Sequence, residues 1–365
     1  LKKIFFHFQQ VGGANAILPL IDILNTNYDI TITARSLVYH NLTKRGFNII
    51  NLNEKVNTEI LLNHFSPDIV ITDSIDLSRT SDTIICKKIW DSSKKKGIPC
   101  IAYVDCWWAY KERFYFPDET SANLPDLIGV IDSVAQQEML RCDFDKNIIK
   151  ILGSPLYEKL SKQKKDQSKE KQKLGFSNDN FLLIFVSQPF EKYFGSESEW
   201  GFTEKTVLND LILTLTNIPE SIRHSLTMVL LLHPEDDGDQ IANIIKTYNL
   251  DFKIKLSKDN NTLNYILAGD LITGMFSILL SEAVILNRPV IPIQLNLKKQ
   301  DMLITNKIGA TTPVRKKDEL ISHFQEAIVN KNYCLNLLNQ QKKFDIVLDA
   351  CSRWVHLIKQ LTSNT

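Results

Sequence analysis

A chain of 365 residues is long enough for two ordinary domains, and 44% hydrophobic with 23% charged residues excludes a disordered polymer. Forty-three basic residues against 42 acidic ones leave a formal charge of +1, which gives no electrostatic case for nucleic acid. The six cysteines are scattered with no Cys-x-x-Cys pair, which argues against a disulfide framework or a zinc site and for reduced thiols in a cytoplasmic protein. No apolar run approaches the roughly 18 residues of a membrane span, and the first residues read as a strand, not a signal peptide. A peripheral membrane contact is compatible with the sequence but not required by it.

In chain order, apolar strands alternate with helical stretches. Ile4–Phe8 reads as a strand, Gln9–Asn15 as a glycine-containing turn and Ala16–Leu24 as a helix. Strands follow at Ile30–Ala34, Phe47–Leu52, Ile69–Thr72, Cys100–Val104, Leu127–Ile131 and Ile148–Leu152, with helices over Thr80–Lys95 and Ser133–Leu140. The tract Lys162–Lys173 is rich in Lys and Gln, almost free of apolar residues, and reads as a solvated linker helix. A second alternating series runs through Phe181–Val186, Met228–Leu232, Phe252–Leu256, Leu271–Thr273 and Val290–Ile293, and a last helix covers Phe344–Gln360. Strands spaced by helices predict parallel sheets covered on both faces. The expectation is α/β: two Rossmann-like domains facing a cleft, the GT-B architecture. Residues 1–160 form the first, acceptor-side domain, 161–178 a charged linker, 179–343 a nucleotide-sugar-binding domain, and 344–365 a helix returning toward the first domain.

The segment from Asp270 to Pro289 carries the most chemical information. A short strand ends in Thr273-Gly274, a helix opens at Ser277 and carries Glu282, and Pro289 starts the next strand. Such a strand–turn–helix offers free backbone N–H groups and the positive end of a helix dipole to a phosphate. An acidic side chain further along the helix suits ribose hydroxyls. His233-Pro234 ends another strand, where an imidazole can donate to phosphate or protonate a leaving group; the alternative is a plain chain turn. Ser187, Gln188 and Glu191 follow Phe181–Val186 and suit a base, a diphosphate or a sugar hydroxyl. In the first half, Gly12 and Gly13 permit close approach of a ligand or simply a tight turn. Asp105, after Cys100–Val104 and beside Trp107, Trp108 and Tyr110, is the candidate general base, with Asp73 second; either can instead be a cap or loop residue. The aromatic side chains are candidates for stacking on a sugar.

Ser187-Gln188-Pro189 with Glu191, the Glu199–Glu204 loop, His233-Pro234 and the Ser277–Pro289 unit resemble bacterial sialyltransferases and polysialyltransferases of GT-B type. The last unit also resembles the glycerophosphotransferases of teichoic acid synthesis. The resemblance implies that His233 and Ser277 contact the phosphate of a CMP-sugar. Gly12-Gly13-Ala14-Asn15-Ala16 and Gly153-Ser154-Pro155 are similar to lipid-A-disaccharide synthase and the UDP-N-acetylglucosamine 2-epimerases. The expected function is therefore a metal-independent, inverting glycosyltransferase of surface polysaccharide biosynthesis that needs no cofactor. Its donor is expected to be a CMP-sugar, with a UDP-sugar as the second choice, and its acceptor a glycan or lipid-linked hydroxyl. Two alternatives stand beside it: a sugar-nucleotide 2-epimerase or hydrolase, and a non-catalytic GT-B binding module. The latter stays open because Asp236-Asp237-Gly238 carries the transferase family's acidic motif outside the first domain.

Overall fold

The computed structural model describes residues 1–76, 84–115, 123–258 and 261–363. They form two compact units, one of residues 1–162 with 346–365 and one of residues 163–345.

The first unit holds strands β1 (Lys2–Phe8), β2 (Tyr28–Ala34), β3 (Ile50–Asn51), β4 (Ile69–Asp73), β5 (Cys100–Val104), β6 (Leu127–Val130) and β7 (Ile149–Ile151). Their order is β3-β2-β1-β4-β5-β6-β7, with every pairing parallel. The central strands β4 and β5 are buried along their whole length, which is why they read as unbroken apolar runs. The order reverses direction between β1 and β4, and ligands of open α/β sheets bind beyond the carboxyl ends of the strands at such a point.

The second unit repeats the plan with β8 (Phe181–Val186), β9 (Leu226–Leu231), β10 (Lys253–Ser257), β11 (Leu271–Gly274) and β12 (Val290–Pro292), ordered β10-β9-β8-β11-β12 and parallel throughout. Its reversal lies between β8 and β11.

Several local expectations change. The first helix spans Val11–Leu24, so Gly12 and Gly13 occupy its first turn and not a loop. Glycine disfavours helix by propensity, but the burial of Ala14, Ala16, Ile17, Leu18, Leu20 and Ile21 outweighs it. The strand expected at Phe47–Leu52 shrinks to the two residues of β3, an edge paired only with β2. The helix after β4 runs Ile85–Lys96 and ends on Gly97 at φ 67°; Thr80 lies outside the described residues. The final helix is Ala350–Ser363, preceded by a separate helix at Lys331–Gln341.

The tract read as solvated is anchored. Its helix Gln167–Lys173 packs on the helix Thr262–Ala268, and Lys171 is buried. The Lys171 ammonium stands 2.6 Å from Asp270 Oδ2 and donates to the Asn180 carbonyl at 2.8 Å. Gln167 Nε2 donates to Asp270 Oδ1 at 2.8 Å. A carboxylate at the amino end of β11 needs a counter-charge, and this polar tract supplies it.

The helix Ala350–Ser363 packs on the helices Val11–Leu24 and Pro155–Lys162 of the first unit. Trp354 is fully buried and meets Tyr103 edge-on at 5.5 Å between ring centres. No helix of the described residues is long and apolar enough to cross a membrane.

Candidate functional site

In the first unit the site is built on the carboxyl ends of β1, β4 and β5. Asp73 is the last residue of β4 and pairs in register with Tyr103, so Asp105 lies two residues beyond the paired end of β5. Asp73 is fully buried. Its Oδ2 accepts hydrogen bonds from the backbone N–H groups of Gln9 at 2.8 Å and Gln10 at 2.7 Å. Its Oδ1 is equally buried and has no hydrogen-bond partner among the described residues. Burial pushes its pKa up to about 7 against the pull of the two N–H groups, and the charge of Asp105 adds to the rise. Burial also raises the pKa of Asp105, while the guanidinium of Arg113, with Nη1 3.6 Å from Asp105 Oδ1, opposes the rise.

Gly12 and Gly13 explain themselves against this pair. A β-carbon on Gly13 would lie 2.6 Å from Asp73 Cβ, and one on Gly12 2.8 Å from Asp105 Oδ2. The groups approaching the two glycines so closely are the chain's own carboxylates. The aromatic run changes its role as well. Trp107 is buried, stacks on Tyr157 and donates to Asp132 at 2.8 Å, and Tyr110 is buried too, so neither is a platform for a sugar. Trp108 is half-buried.

In the second unit the register sets the site. Val186 at the end of β8 pairs with Leu231 of β9 on one side and Gly274 of β11 on the other. Ser187, His233 and the Gly274–Ser277 turn therefore emerge from three adjacent strand ends. Gln188 ties two of them together, its Oε1 accepting from the Phe276 N–H at 3.1 Å. Ser277 caps the helix Ile278–Ile285, its hydroxyl accepting from the Leu279 N–H at 3.3 Å. Gly274 is required by β8, since a β-carbon there would meet the Val186 carbonyl at 2.7 Å.

His233 accepts a hydrogen bond from the Glu235 N–H at Nδ1, 3.2 Å away, which puts the proton of the neutral ring on Nε2. Burial depresses its pKa against the pull of Asp236 and Glu235. A neutral donor at a strand end results. The half-buried Glu282 side chain has no hydrogen bond or ion pair among the described residues, and burial pushes its carboxyl up to about 7.

Glu191 and Pro234 go elsewhere. Glu191 is exposed, pairs with Lys205 at 2.9 Å, and lines a groove of about 270 Å³ with Glu204, Glu235, Asp236 and Asp237. Carboxylates dominate that groove, which suits a diphosphate poorly. Pro234 is exposed and turns the chain toward it. Among the described residues, no group of three or more His, Cys, Asp or Glu side chains could hold a metal ion.

Arg113, Ser74 and the Gln9 and Gln10 backbone escaped the sequence reading. In the sequence Arg113 is the last of three consecutive charges, Lys111-Glu112-Arg113, between aromatic residues, with nothing to set it apart.

No family model matches the chain, and no curated protein does. Solved structures do. A UDP-N-acetylglucosamine 2-epimerase from Neisseria meningitidis, bound to UDP-GlcNAc, aligns with a TM-score of 0.68 at 14% identity, over 98% of this chain and 100% of that one. The UDP-GlcNAc 2-epimerase of Methanocaldococcus jannaschii gives 0.67 at 15%, over 98% and 99%. A glycosyltransferase from Rickettsia africae gives 0.65 at 13%, over 100% and 99%. All three structures align with nearly the whole chain. At such identities the likeness shows the fold: Rossmann-like α/β with parallel sheets, of the GT-B type.

Proposed function

We propose that this protein is a sugar-nucleotide enzyme that uses a UDP-sugar and moves a proton on the sugar, in the manner of a 2-epimerase. The observation that carries this reading is the pair of buried Asp73 and half-buried Asp105 at neighbouring strand ends, with one Asp73 oxygen lacking a partner among the described residues. Inverting a carbon that bears hydrogen requires one group to take a proton and another to return one to the opposite face. Two carboxylates in unlike surroundings supply those two states. The strand ends around Ser187, His233, Gly274 and Ser277, with Glu282, are the proposed nucleotide site: the neutral imidazole donates to phosphate and Glu282 accepts from ribose. Structures of the same fold with UDP-GlcNAc bound support a uridine nucleotide over the cytidine one expected from sequence.

Glycosyl transfer to a glycan or lipid-linked hydroxyl is the second reading. It is favoured by the ion pair that helps keep Asp105 ionised, as a base acting on an acceptor must be. Incubation with UDP-sugars in heavy water separates the two. Deuterium at the sugar C2 with formation of the epimer supports the first. Transfer to an acceptor without label supports the second. Binding with neither outcome identifies a non-catalytic module.

A further inference from the structure

Arg113 lies in the short helix Tyr110–Phe114, which is opened by Ala109 in the left-handed region at φ 57°. Its side chain is 3% exposed. Nη1 donates to the Ser74 carbonyl at 2.5 Å and to the Ser74 hydroxyl at 3.1 Å. Nη2 donates to Cys106 Sγ at 2.7 Å, and Nε to the Trp108 carbonyl at 3.4 Å. Ser74 directly follows Asp73, and Cys106 directly follows Asp105. One guanidinium thus laces together the two loops that carry the carboxylates, and it touches Asp105 itself at ion-pair distance.

The titratable groups around Asp105 are Arg113, Cys106, Tyr103 and Asp73; Asp76 also faces Arg113, and Cys86 faces Asp73. Asp73 and Asp105, so close together, cannot both ionise without cost. Arginine keeps its proton under all these conditions, so its charge favours whichever carboxylate it sits beside. Its planar fork matches several acceptors at once, which a lysine ammonium cannot do.

We propose that Arg113 is the positioning residue of the site: it holds Asp105 ionised to take a proton, leaves Asp73 as the protonated partner, and fixes the separation of the two loops. The inference rests on the reading that this pair transfers protons, and it is tested in two ways that fail separately.

The first test needs no substrate. Carboxyl carbons of the full chain labelled at aspartate are titrated by NMR, with Asp105→Asn assigning the Asp105 signal. In Arg113→Gln the Asp105 midpoint moves up by about one pH unit or more, the equivalent of a tenfold loss of bias toward the ion. In Arg113→Lys, which keeps the charge, it moves by less than half of that. An unmoved Asp105 signal in a folded Arg113→Gln protein overturns the proposal. If that variant does not fold, the Arg113→Lys signal decides: an Asp105 midpoint as high as that of an isolated buried carboxyl overturns it, and a retained one supports it.

The second test uses turnover. The acid limb of kcat/KM in Arg113→Gln shifts upward with the NMR midpoint, whereas Arg113→Lys loses about tenfold or more in kcat with KM within about threefold. A wild-type protein inert toward every UDP-sugar refutes the proposed function and leaves the titration to judge Arg113.

Discussion

Gly13 lies so close to Asp73 that a β-carbon on the glycine would stand 2.6 Å from the aspartate's own β-carbon. Neither backbone can retreat, because β4 is a central strand and the first helix is buried along one face. Gly13→Ala is therefore expected to destabilise the protein by about 1–3 kcal/mol, as other overpacking substitutions do. Gly12 is exposed and meets only the far end of the Asp105 side chain. Gly12→Ala should leave stability within about 1 kcal/mol while lowering turnover by displacing that carboxylate. Urea unfolding of both variants, with activity, tests the contrast.

Asp105→Asn and Asp73→Asn should each lower proton exchange at the sugar by about two to four orders of magnitude, the usual worth of a general acid or base. UDP affinity should change little in either. Isothermal titration with UDP, beside deuterium incorporation, separates a lost proton carrier from a lost binding group. Full exchange in both variants would move the chemistry away from this pair.

The raised pKa of Asp73 has a consequence for stability. Between the ordinary carboxyl value near 4 and its folded value of about 7, the folded state holds a proton that the unfolded chain has released. Its contribution is thus fully present at low pH and is lost as pH rises through that window. Asp73→Asn, which keeps an acceptor for Gln9 and Gln10 but cannot ionise, should melt higher than wild type at pH 8. The gap should close toward pH 5. Thermal melts across that range test the sign, and a variant that is least stable relative to wild type at pH 8 would contradict it.

If His233 donates from Nε2 to a phosphate, His233→Ala should weaken UDP binding by about 1.5–3 kcal/mol, the net value of a hydrogen bond to a charged group. Uridine, which lacks phosphate, should bind both proteins alike. Equal weakening for both ligands would place the imidazole against the nucleoside instead.

Lys171→Met should cost about 2–3 kcal/mol, below the figure for a fully buried pair because Asp270 remains 24% exposed. Asp270→Asn in the same chain should recover much of the loss. Chemical unfolding of the two single variants and the double variant measures the coupling.

The alternation of strands and helices was legible because each strand is a short apolar run bounded by turn residues. The candidate residues that the strand ends bring together follow the same logic: Ser187, His233 and Ser277 each lie just past a strand that could be read. What could not be read depends on distant partners. Lys171 sits in a tract whose composition signals solvent, and Asp270, 99 positions later, supplies the counter-charge that lets it be buried. Gly12-Gly13 looks like a turn because the carboxylates that demand small residues there arrive from β4 and β5. Arg113 looks like one more charge beside aromatic side chains until the loops behind Asp73 and Asp105 are seen to converge on it.

The helix Ala350–Ser363 belongs to the unit that begins at residue 1, with Gly153 at φ 76° pressed against Val347 and Ala350. The unit of residues 163–345 is contiguous and can complete its core as soon as it is synthesised. The other cannot: the surface that receives Trp354 and Ile358 stays bare until residues 346–363 have followed the second unit out of the ribosome. Domains of a growing chain ordinarily mature in the order they are made. Here the order is inverted, and the part of the protein that carries Asp73 and Asp105 closes after the unit of residues 163–345.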